Sequence, residues 1–77
     1  MKVDVQLLGF LVRFSPTGKE KFPLVLEPDA TIGQLLEKIK FPLDLPKMIL
    51  VNGNQANHST SLAESDEVFI FTPAAGG

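Results

Sequence analysis

The sequence predicts an α+β roll, a mixed sheet of four to five strands packed on one helix. Three observations predict it. Short strand-like apolar runs open and close the chain, around Val3-Val5-Leu7 and Val68-Phe69-Ile70-Phe71. One capped, amphipathic helical segment, from Thr31 to Lys40, lies between them. A third apolar run, Met48 to Val51, ends in Asn52-Gly53, the strongest short signal for a hairpin turn.

Each element has its own reason. In residues 2–14, Val3, Val5 and Leu7 alternate with Lys2, Asp4 and Gln6, the period-2 pattern of a half-buried strand. The phase then shifts to Phe10, Val12 and Phe14, and Leu8-Gly9 marks a bulge or bend inside one long strand. Ser15-Pro16-Thr17-Gly18 is a turn by composition. Phe22 to Leu26 is a second strand, antiparallel to the first. Pro23 has no ladder N–H, which places that strand at a sheet edge.

Thr31 and Gln34 have the spacing of a capping box. Ile32, Leu35, Leu36 and Ile39 then form one apolar stripe at i, i+3, i+4 and i+7. Lys38 and Lys40 suit the negative end of the helix dipole, and Pro42 stops the helix. After Asn52-Gly53, Gln55 to Asn57 forms a short return strand, Leu62 plugs the core from a polar loop, and Val68 to Phe71 is the last strand. Hairpins on either side of a helix with a single apolar stripe describe a β-grasp (ubiquitin-like) roll, with the first and last strands adjacent and parallel in the centre. Periodicity alone leaves another α+β arrangement of the same elements open.

The 77 residues make one domain. A chain of this size buries about 60% of its unfolded surface, which leaves little room for a deep enclosed active site. We divide it into a β-grasp domain, 1–72, and a C-terminal Gly-Gly tail, 73–77. A formal charge of −2 gives no footprint for nucleic acid or anionic lipid, and Arg13, Lys19 and Lys21 read as a solvated hairpin loop. The chain has no cysteine, which suits a reducing cytoplasm. No signal peptide is visible after Met1, and no apolar run approaches the roughly 20 residues of a membrane span.

Self-contained catalysis finds no support. The glycines form no phosphate loop. His58 is the one histidine and sits in a polar loop without cysteine or a second histidine, so no metal site is expected. Ser59, Thr60 and Ser61 have no base partner in sequence. Glu64, Asp66 and Glu67 read as a turn before a strand, with Asp66 bonding local backbone.

The tail, Pro73-Ala74-Ala75-Gly76-Gly77, carries no large side chain. A Gly-Gly end lacks Cβ atoms and can enter a narrow channel. Its unhindered carboxylate suits attack on the α-phosphorus of ATP, giving an acyl-adenylate from which a sulfur nucleophile displaces AMP. Sulfur then rides on the acyl carbon, so no cysteine is needed.

Ile49-Leu50-Val51-Asn52-Gly53, Leu62-Ala63-Glu64-Ser65-Asp66-Glu67-Val68-Phe69-Ile70-Phe71 and Pro73 to Gly77 together resemble the MoaD/ThiS sulfur-carrier family. These are the small subunit of molybdopterin synthase and the thiamine sulfur carrier. Strand and helix order agrees along the chain, while the specific motifs cover its last third. Ser65 stands where the family usually has glycine, and Thr72 replaces the first of two prolines. The resemblance implies a carrier rather than an enzyme, holding no cofactor. It further implies activation by a ubiquitin-activating-like adenylating enzyme, which uses ATP.

The family's terminal glycine maps onto Gly77 and its penultimate one onto Gly76; Ala75, Ala74 and Pro73 complete the inserting tail. In the MoaD branch, towards which the Phe-x-Pro tail leans, that tail would enter the large subunit of molybdopterin synthase and serve a molybdenum or tungsten pterin cofactor. A thiamine-type carrier and a protein modifier conjugated through Gly77 are the alternatives. Val68 and Ile70 share one strand face and Phe69 and Phe71 the other. If the helix covers the first pair, the two phenylalanines are left as a partner-binding patch.

Overall fold

A computed structural model describes residues 1–73. Ala74, Ala75, Gly76 and Gly77, all assigned to the tail from sequence, lie outside the described residues. The strands are β1 (Lys2–Leu7), β2 (Lys21–Val25), β3 (Met48–Val51), β4 (Asn54–Gln55) and β5 (Glu67–Phe71), with one helix, α1 (Ile32–Lys38). They form a single mixed sheet in the order β2-β1-β5-β3-β4. β1 and β5 pair in parallel at its centre and the other neighbours pair antiparallel. This is the β-grasp, ubiquitin-like arrangement expected from the order of elements.

The helix stripe and the inward strand residues build one core. Val3, Val5 and Leu7 of β1, Phe22 and Leu24 of β2, Ile49 of β3, and Val68 and Ile70 of β5 are buried together with Ile32, Leu35, Leu36 and Ile39. Leu62 is buried with them, as its lone apolar position in a polar loop suggested.

The helix start is fully accounted for. Thr31 and Gln34 make a reciprocal capping box: Gln34 N donates to Thr31 Oγ1 at 3.3 Å, and Thr31 N donates to Gln34 Oε1 at 2.8 Å. Ile32 N donates to Thr60 O and Gly33 N to His58 O. The loop before β5 can lie this close because residue 33 is glycine; an added Cβ would stand 3.2 Å from His58 O. With these amides satisfied, the helix N-terminus offers no anion site.

Three details differ from expectation. The long first strand ends at Leu7, and Gly9–Phe14 form a 3-10 helix. Gly9 turns the backbone out of the sheet at φ 60°, and Leu11, off the even-numbered phase, is the residue that is buried. The helix stops ahead of Pro42, in a Schellman motif: Phe41 N donates to Leu36 O and Lys40 N to Glu37 O, with Lys40 left-handed at φ 58°. The return strand is Asn54–Gln55 and starts directly after the turn, in which Asn52 and Gly53 both take positive φ.

Pro23 does lie on an edge strand. Met1 N donates to Leu26 O, Leu26 N to Met1 O and Leu7 N to Glu20 O, so alternation points the backbone groups of residues 21, 23 and 25 away from β1. Pro23 has no N–H to offer there, and the Val25 carbonyl accepts from Lys38 Nζ at 2.6 Å. Lys38, expected to serve the helix dipole, thus also blunts the sheet edge. No helix among the described residues is long and apolar enough to cross a membrane.

Candidate protein-docking face and tail exit

The sheet face opposite α1 is where the sequence-predicted residues meet. β5 turns Val68 and Ile70 into the core and Phe69 and Phe71 onto the open face, where both are half-buried. Their rings pack on each other with centroids 5.6 Å apart, tilted by 51°. The register sets Leu50 opposite Phe69 and Met48 opposite Phe71, so four apolar side chains form a compact patch across β3 and β5. Phe71 ends the last strand, and Thr72 and Pro73 follow it directly. The chain therefore leaves the sheet beside this patch.

A shallow groove of about 570 Å³ crosses the same face. Phe69 and Leu50 line it together with Asp4, Glu67, Gln6 and Lys21. It carries no histidine, cysteine, serine or threonine, so it offers no nucleophile–base pair. Among the described residues no three His, Asp or Glu side chains gather in a metal-holding cluster.

His58 is exposed and contributes its backbone carbonyl to the helix start. Asp66 has the local role expected of it, accepting from Ala63 N at 2.8 Å, and it also holds Asn52. Ser65, at the position where the sequence departs from the sulfur-carrier pattern, sits at φ 69° and donates its N–H to Lys2 O.

One feature of the tail end was not foreseen. Phe10 is 55% exposed, on the 3-10 helix that follows β1. The phase shift at Gly9 was visible in sequence, but a strand with a bulge accounts for it equally well.

The fold and the open face define a small ubiquitin-like domain whose last strand ends beside an apolar patch. The ThiS family model matches residues 5–77, and the chain belongs to that family. Among solved structures, SAMP1 from Haloferax volcanii is similar with a TM-score of 0.80 at 22% identity, covering all of both chains. A candidate molybdopterin converting factor subunit 1 from Pyrococcus furiosus gives 0.79 at 23% identity, covering 96% of this chain and 99% of that one. A chain from the complex of subunits 1 and 2 of molybdopterin-converting factor from Helicobacter pylori gives 0.66 at 22% identity over all of both chains. Among curated proteins nothing matches.

Proposed function

We propose that this chain is a sulfur carrier that works through the carboxylate of Gly77, as the small subunit of a molybdopterin synthase serving a molybdenum or tungsten pterin. The observation that carries the reading is the position of β5. It is a central strand, paired on both sides, and it ends at Phe71, next to Phe69 and two residues before Pro73, which supports this reading. Family membership and the likeness to a molybdopterin converting factor subunit support it.

In this reading residues 1–72 are the docking domain and 73–77 the inserting tail, from Pro73 through Ala74, Ala75 and Gly76 to Gly77. An oxygen of the Gly77 carboxylate attacks the α-phosphorus of ATP and pyrophosphate leaves. A sulfide equivalent then attacks the acyl carbon, AMP leaves, and a thiocarboxylate remains. A ubiquitin-activating-like enzyme uses the ATP; this chain holds no cofactor and supplies no catalytic side chain. The large synthase subunit takes the tail, as the pairing of subunits 1 and 2 in the Helicobacter complex suggests by analogy. The absence of cysteine fits work in the cytoplasm.

A second reading, a modifier conjugated to lysines through Gly77, is favoured by the likeness to SAMP1, a small archaeal modifier protein. A thiamine-type carrier is the third. Intact mass after incubation with ATP, sulfide and the cognate adenylating enzyme tests the carrier. A gain of about 16 Da, oxygen exchanged for sulfur on the acyl carbon, is expected. No adduct and no adenylate would overturn it, and isopeptide conjugates of Gly77 in cells would favour the modifier.

A further inference from the structure

Among the described residues Phe10, Val25 and Leu43 are the exposed large apolar side chains, at 55%, 62% and 74%. They occupy different places. Val25 pairs with Lys2 at the start of β1, the sheet end remote from the tail. Leu43 lies in the connection between α1 and β3. Phe10 stands two residues beyond Leu8, whose N–H donates to Ile70 O at 3.1 Å, and Ile70 is only three residues before Pro73. Phe10 is therefore at the sheet end from which the tail departs.

The backbone that carries Phe10 is also held in place. Leu11 beside it is fully buried, and Phe14, at the other end of the same 3-10 helix, packs on Phe41 with ring centroids 5.0 Å apart. A large apolar ring in water, carried on a fixed stretch of backbone beside a chain exit, has the character of an interface anchor, since docking need not order the main chain that bears it.

We propose that Phe10, with Phe71, forms a collar around the tail exit on which the adenylating enzyme docks. The inference rests on the reading that Gly77 is activated. Reach identifies the occupant: Ala74 to Gly77 span at most about 14 Å when fully extended. An enzyme that takes the Gly77 carboxylate must bring its surface within that distance of Pro73, onto the sheet end carrying Phe10. The adenylating enzyme is the occupant because carrier and modifier readings alike pass through that step.

The test is ATP–pyrophosphate exchange by the cognate adenylating enzyme, with this chain as the varied substrate. Phe10→Ser raises KM about tenfold and leaves kcat within about twofold, the signature of lost uniform binding. Val25→Thr, equally exposed at the far end, leaves both unchanged, and Phe10→Leu restores most of the affinity. Thermal unfolding shows the Phe10→Ser domain folded. An unchanged KM for Phe10→Ser, or an equal rise for Val25→Thr, overturns the collar while the carrier reading stands. A wild-type chain that is not adenylated at all overturns the carrier reading, and the collar with it.

Discussion

The side-chain amide of Asn52 donates to Asp66 Oδ1 at 2.9 Å and so joins the β3–β4 turn to the turn that enters β5. Asn52 Oδ1 accepts from Glu67 N at 3.0 Å, and Asn52 N donates to Glu67 O at 2.8 Å. Two motifs separated by 14 residues are thus one clamp. It sits at the start of β5, at the opposite end of the strand from the tail. It matters for the docking face because a one-residue slip of β5 would turn Phe69 and Phe71 inward and expose Val68 and Ile70.

Asn52→Asp keeps the acceptor for Glu67 N but sets a carboxylate against Asp66. We expect a loss of about 1–2 kcal/mol in urea unfolding. The double variant Asn52→Asp with Asp66→Asn restores an amide–carboxylate pair and recovers part of that loss. No coupling between the two positions in the double-mutant cycle would show that the clamp contributes nothing.

Ser65 and Lys40 both hold left-handed backbone, φ 69° and 58°, where glycine carries no Cβ penalty. Ser65→Gly and Lys40→Gly are each expected to stabilise the fold by about 0.5–1 kcal/mol, offset in part by the greater freedom of an unfolded glycine. A fall in melting temperature for Ser65→Gly would contradict the assigned conformation.

The two faces of β5 should separate stability from recognition. Ile70→Ala is expected to cost about 2–5 kcal/mol, because it opens a cavity against the helix. Phe71→Ala, from a half-buried position, should cost about 1 kcal/mol and still lower the affinity for the adenylating enzyme. Calorimetric titration with full affinity for the Phe71→Ala domain would remove the docking face from the account.

The β2 edge is guarded by Pro23 and by the bond from Lys38 Nζ to Val25 O. Pro23→Val combined with Lys38→Met exposes a continuous row of donors and acceptors. Sedimentation should show concentration-dependent self-association of this variant and a monomeric parent. A variant that stays as monomeric as the parent would mean that the edge needs no such protection.

Local rules made much of the fold legible. The helix start follows from Thr31 and Gln34, and its core stripe from Ile32, Leu35, Leu36 and Ile39, because helix periodicity relates residues only a few positions apart. The inward phases of β1 and β5, the edge position of Pro23 and the turn at Asn52-Gly53 follow in the same way. The open face carrying Phe69 and Phe71 was readable from alternation.

Tertiary structure decided what depends on distant partners. Residues 9–14 alternate well enough for a strand, yet burial of Leu11 and contact between Phe14 and Phe41 make them a 3-10 helix and leave Phe10 in water. Lys38 looked like a dipole partner until Val25, 13 residues away, came within reach of its ammonium. The positive φ at Ser65 and Lys40, and the joining of Asn52 to Asp66, likewise have no local signal in a serine, a lysine or a lone turn. Sequence thus determined which segments form the roll and which face of β5 is inward, through short-range periodicity and turn chemistry. Only packing between segments far apart in the chain placed Phe10, the clamp and the guarded edge around them.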